Sequence, residues 1–118
     1  MARYKKQIQL ESDKQLVSEK LTEYMKSSDY TLIDYHGQTL WRKEIKNPGR
    51  PFAPPIKVQF VFNISDTLME LEAFVIWSMW IKDDSGEHGL DRGIIGNKQK
   101  KILQNEVNLV CDFIQSLI

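Results

Sequence analysis

The chain has 118 residues, with 16 Lys and Arg set against 16 Asp and Glu, and it is 42% hydrophobic and 27% charged. That size suits one domain spanning residues 1–118 around a single core. The composition is too apolar and too evenly charged for a disordered chain, and it lacks the overall basic excess on which nucleic-acid and anionic-membrane binding draw.

The first strand is predicted over Tyr4 to Glu11, where Tyr4, Ile8 and Leu10 share a face in a period-2 pattern interrupted by Lys6. Ser12 and Asp13 offer capping chemistry to a helix over Lys14 to Ser27. Its Val17, Leu21, Tyr24 and Met25 make one apolar stripe. Tyr30 to Tyr35 is β-rich, and His36-Gly37 reads as a tight turn into Thr39 to Lys46, which makes a hairpin. The segment from Asn47 to Pro55 holds all four prolines, a density that no hydrogen-bonded ladder tolerates, so it reads as a loop. Ile56, Val58, Phe60 and Phe62 alternate with Lys57, Gln59, Val61 and Asn63, the pattern of a half-buried strand.

The longest predicted strand, Leu68 to Lys82, changes character along its length. Met69, Leu71, Ala73, Val75, Trp77, Met79 and Ile81 make one face apolar throughout. The other face begins with Glu70 and Glu72 and turns into Phe74, Ile76, Ser78 and Trp80, so its second half needs cover on both sides. A polar loop over Asp83 to Gly96 follows. Last comes a helix from about Asn97 to Leu117, with Leu103, Val107, Val110, Ile114 and Leu117 on one stripe. The order β-α-β-β-β-β-α predicts an α+β two-layer sandwich, an antiparallel sheet of about five strands with two helices on one face.

The apolar run from Ala73 to Ile81 is far short of the roughly 20 residues that span a bilayer, and no hydrophobic signal region follows the charged N-terminus. Cys111 is the only cysteine. Neither a disulfide nor a Cys/His zinc site can form within the chain, and the reading is a cytoplasmic protein outside the membrane.

Three places carry candidate chemistry. Phe74, Ile76 and Trp80 could form an apolar patch meeting a second copy or a protein partner, or line a pocket for an apolar small molecule. The alternative is that the proline-rich loop folds over them, with Phe52 packed against the strand. The start of the last helix carries a charge step: residues 83–91 hold four acids and no base, residues 92–101 four bases and no acid. Arg92, Asn97, Lys98 and Lys101 could hold an anion at the helix N-terminus, although Asn97 reads equally as an ordinary N-cap. The acidic loop with Asp83, Asp84, Glu87, His88 and Asp91 fails the EF-hand spacing, so no metal site is assigned. His36 and His88 have no sequence-defined catalytic partner, no nucleophile elbow or phosphate loop occurs, and no cofactor is called for. The GXXG-like stretch at Gly96 has Gln99 in place of the second glycine, so nucleic acid is not favoured.

The element order resembles one repeat of the TATA-binding-protein fold and, more loosely, the helix-grip folds. Lys6-Gln7-Ile8-Gln9-Leu10-Glu11-Ser12-Asp13-Lys14, together with Leu90-Asp91, Gly93-Ile94-Ile95-Gly96 and Lys100-Lys101-Ile102-Leu103, resembles a group of small uncharacterised bacterial proteins, mostly from Gram-positive organisms. The resemblance implies a bacterial cytoplasmic protein and assigns no site residue. The functional expectation is a non-enzymatic interaction module that self-associates through the apolar end of the long strand near residues 74–80. Its alternative is a carrier of an apolar ligand, with a cavity between the sheet and the C-terminal helix.

Overall fold

A computed structural model of the chain describes residues 3–11, 13–45, 56–76, 87–88 and 97–117. Its elements follow the order β1 (Tyr4–Gln9), α1 (Lys14–Ser27), β2 (Thr31–Tyr35), β3 (Gln38–Ile45), β4 (Ile56–Ser65), β5 (Leu68–Ile76), β6 (Glu87–His88) and α2 (Asn97–Ser116). The strands form one antiparallel sheet in the order β1-β5-β4-β3-β2. The short β6, which the sequence pattern did not suggest, pairs with Val75 and Ile76 on β5. It continues the edge that β1 occupies over Leu68 to Ala73. Phe52 and Trp80 lie outside the described residues, as do the proline-rich segment and the remainder of the expected long strand.

Local chemistry sets the joints. Asp13 caps α1 by accepting a hydrogen bond from the Gln15 backbone N–H at 3.4 Å. The helix ends in a Schellman arrangement: the Tyr30 N–H donates to the Met25 carbonyl at 2.9 Å, and the Asp29 N–H donates to that of Lys26 at 3.3 Å. Asp29 takes the left-handed position at φ 70°, a role more often filled by glycine. Tyr30 is thereby turned into the core beside Met25. The β2–β3 hairpin closes on His36 (φ 51°) and Gly37 (φ 83°), the two positive φ values of a type I′ turn. The β4–β5 hairpin turns at Asp66, again with positive φ.

Both helices cover one face of the sheet. Val17, Leu21 and Met25 of α1 and Leu103, Val107, Val110, Cys111 and Ile114 of α2 share a core with Ile8, Trp41, Ile56, Val58, Phe60, Met69, Leu71, Ala73 and Val75. On the opposite face a second, smaller cluster joins Tyr35, Leu40, Val61, Phe74 and Ile76. Along β5, burial alternates from Leu68 to Leu71 and becomes continuous from Ala73 to Ile76, the change that the residue pattern predicted. The expectation that β4 is half-buried needs correction. Lys57, Gln59 and Val61, on its helix-free side, are buried as well. The reason is position: β4 lies inside the sheet, and Lys57 and Gln59 stand opposite Ile76 and Phe74 in the part of β5 that is closed on both faces. No described helix is long and apolar enough to cross a membrane.

Leu71 lies at the centre of the helix-covered core and is fully buried. Leu71→Ala is expected to cost about 2–5 kcal/mol in denaturant unfolding through lost burial and a residual cavity. Thr39→Ala, at an exposed position of β3, should stay within about 0.5 kcal/mol.

Candidate functional site

Among the described residues, chemically competent side chains gather in two places, one on each face of the sheet. Between the sheet and α2, the Tyr30 hydroxyl donates to Glu106 Oε1 at 2.7 Å, and Lys43 Nζ donates to the same oxygen at 3.2 Å. The Lys43 ammonium also lies 5.5 Å from the centre of the Tyr30 ring. Tyr30 arrives from the end of α1, Lys43 from β3 and Glu106 from α2, so one carboxylate oxygen ties three elements together. Burial, the hydrogen bond to Glu106 and the Glu106 charge, in that order, push the Tyr30 hydroxyl far above its ordinary value. A phenol held neutral and donating to a carboxylate positions α2 on the sheet. It supplies neither a base nor a nucleophile near neutral pH.

On the helix-free face, Arg3 lies 4.1 Å above the Phe74 ring centre. It donates to Glu72 Oε1 at 3.3 Å and to Gln38 Oε1 at 3.2 Å. One strand further in, Arg42 Nε donates to Gln59 Oε1 at 2.6 Å. Gln59 is 0% exposed and its Nε2 donor is unpartnered, a cost of about 1–3 kcal/mol that only the surrounding packing can offset. Arg3, Phe74, Gln59 and Arg42 therefore form one transverse row, a cation over an aromatic ring followed by an amide and a second cation.

The sequence-derived candidates fall as follows. Phe74 and Ile76 are 0% and 1% exposed, so within the single chain they are the floor of the second cluster and present no bare surface. Phe52, Trp80 and Arg92 lie outside the described residues. Asn97 and Lys98 are the first two residues of α2. Lys101 is exposed on α2, in the helix layer, whereas Arg3 is held on the opposite face of the sheet. His36 is exposed in the hairpin turn, its ring edge-on to Tyr35 at 4.3 Å. His88 lies in β6 opposite Val75. Cys111 is part of the helix-side core, and burial raises its thiol pKa against the lowering pull of Lys6. Among the described residues, no three acidic, histidine or cysteine side chains gather as a metal site. Open clefts of about 580 and 430 Å³ lie on the outside of the helix layer, at Asp13–Glu19 and between Tyr24 and Phe113.

The Tyr30–Glu106 contact escaped sequence reasoning because its partners are 76 residues apart. The available signal was Glu106 itself, an acid one position before the buried Val107 on the helix stripe. The sheet also has two open sides among the described residues, and they differ. At one end β1 carries Lys5 and Lys6 and no acid. At the other, β2 contains neither Lys, Arg nor Pro, and its Leu32 is 52% exposed. No protein family, curated protein or solved structure matches this chain.

The raised Tyr30 pKa fixes the sign of a pH effect. In the unfolded chain the phenol ionises near its ordinary 10.0, while in the fold it stays protonated well beyond that. The unfolded state therefore binds fewer protons above pH 10, and stability falls as pH rises through that value. Tyr30→Phe should flatten the alkaline fall in unfolding free energy by up to about 1.4 kcal/mol per pH unit. Equilibrium denaturation of both proteins between pH 8 and 11 is the measurement.

Proposed function

We propose that this protein is a non-enzymatic interaction module that associates with copies of itself by strand addition at β2. The observation that carries the reading is the character of that edge. Unpaired N–H and C=O groups along an edge strand are a template for another strand, and proteins that avoid this use lysine, proline or a covering element. Lys5 and Lys6 give β1 a positive edge that repels a second β1 and admits only a strand of opposite charge. Thr31, Leu32 and Asp34 of β2 are all exposed, and among the described residues no strand pairs with the outer side of β2.

The burial of Phe74 and Ile76 supports this edge over the face of β5 near residues 74–80 as the surface offered to a second copy. The carrier alternative finds less support. Leu103 and Ile114 of α2 and Met69, Leu71, Ala73 and Val75 of β5 are wholly inaccessible, so none of them borders a space that would admit even a water molecule.

Sedimentation velocity over a concentration series tests the reading. Wild-type protein is expected to show a sedimentation coefficient that rises with concentration. Leu32→Lys, which installs the missing edge charge at an exposed position, should suppress that rise while leaving the far-ultraviolet circular dichroism unchanged. A wild-type protein that stays monomeric to high micromolar concentration overturns the proposal.

A further inference from the structure

Resting on the edge reading above, we infer that the β2 edge of one copy is occupied by the β1 edge of the next, head to tail, with the helices of both copies on the same side of a continued sheet. The first argument is charge. Tyr4–Gln9 carries two lysines and no acid. Asp34 is the only charged residue of Thr31–Tyr35, and Asp29 stands two positions before that strand. A symmetric pairing of β2 with itself would bring two acidic edges together. Centred on Ile33, it would also set each exposed Leu32 opposite an Asp34.

The second argument is direction and spacing. Four antiparallel pairings separate β1 from β2, so the two strands run the same way. A second copy translated across the sheet therefore presents β1 parallel to β2. Tyr4, Lys6 and Ile8 share a face, and Ile8 and Tyr4 place it on the helix side. Leu32 stands opposite Trp41, which puts Leu32 and Asp34 on the helix side too. The two-residue spacing of Tyr4 and Lys6 matches that of Leu32 and Asp34. One register then places the tyrosine ring against the exposed leucine and the ammonium beside the carboxylate. On the other face the same register sets Lys5 beside Ile33 and Gln7 beside Tyr35.

Such a contact is heterologous, so assembly continues past the dimer unless the rotation between copies closes a ring. A single strand pair buries well under the roughly 1,600 Å² of a standard stable interface. The association is accordingly weak, dependent on concentration, and reduced by salt because its charges are exposed.

Charge reversal separates this inference from the reading on which it rests. Asp34→Lys alters an exposed side chain, and Lys5→Glu with Lys6→Glu reverses the opposite edge. Each variant alone is expected to sediment as a monomer at concentrations where wild-type protein assembles. An equimolar mixture should regain wild-type assembly, because the acidic β2 of the glutamate variant meets the basic β1 of the Asp34→Lys variant. Circular dichroism and thermal unfolding check that both variants fold, and the Asp34→Lys result stands by itself should the glutamate variant not fold. Assembly by Asp34→Lys alone at wild-type strength overturns the inference, as does a mixture of folded variants that stays monomeric. If Leu32→Lys abolishes assembly while charge reversal does not, or if assembly stops at a dimer, β2 remains the docking edge and the head-to-tail partner is wrong. A monomeric wild-type protein overturns both.

Discussion

The β4–β5 hairpin is hydrogen-bonded along both of its outer sides, to β3 on one and to β1 and β6 on the other. Its backbone is satisfied within the sheet, and its side chains must then be sorted between two faces. Among the described residues there are two helices, and both are committed to the face that carries Met69, Leu71, Ala73 and Val75. The second face has to be closed without them. It is closed at one end, where Phe74 and Ile76 pack with Val61, Leu40 and Tyr35, and left wet at the other, where Glu70 and Asn63 face solvent. This unequal closure decides where polar groups can sit, where burial is complete and where surface remains for contact.

Closure of the second face explains the company that Gln59 and Lys57 keep. Both would be ordinary outward residues on an exposed antiparallel strand. Opposite Phe74 and Ile76 they become interior groups, and the Gln59 carboxamide is oriented by Arg42 rather than by water. Arg3 does similar work from the first strand, spreading its guanidinium over Phe74 while anchoring to Glu72 and Gln38. On the helix side the polar seam is smaller and converges on one oxygen, since Glu106 Oε1 accepts from both Tyr30 and Lys43. Hydrophobic packing is non-directional and does not by itself name a register for α2. A shared carboxylate between a phenol and an ammonium specifies one position, because any shift strands a half-buried charge.

Local chemistry was legible in the sequence wherever it alone decides the structure. His36-Gly37 supplies the positive φ values of a type I′ turn, Asp13 caps α1, and the shift from Glu70 and Glu72 to Phe74 and Ile76 marks where burial becomes continuous. Period-2 alternation assigns a residue to a face, but it does not say whether that face is covered. For that reason Lys57 and Gln59 read as solvent-facing and turn out buried. β6 has two residues, too few for any periodicity, and exists because β5 extends past the end of β1. The candidate site was legible only in part. Phe74 and Ile76 were rightly singled out as demanding cover, yet the contact between Tyr30 and Glu106 depends on how the end of α1 meets α2, which no local pattern encodes.

An open sheet must end twice, and the two ends of this one are built from different chemistry because they come from different parts of the chain. β1 enters with lysines on both faces, Lys5 on one and Lys6 on the other, so an approaching strand meets positive charge from either side. β2 follows directly from the left-handed turn at Asp29, and its residues are chosen by the needs of Tyr30 and of the second cluster, in which Tyr35 is buried and Ile33 takes part. With alternate positions committed inward, Leu32 and Asp34 are left to face outward on the helix side beyond the reach of α2. The unprotected edge is thus a consequence of how the core is closed. With Tyr30, Ile33 and Tyr35 drawn into the two clusters, β2 is left with its backbone, Leu32 and Asp34 to offer a partner.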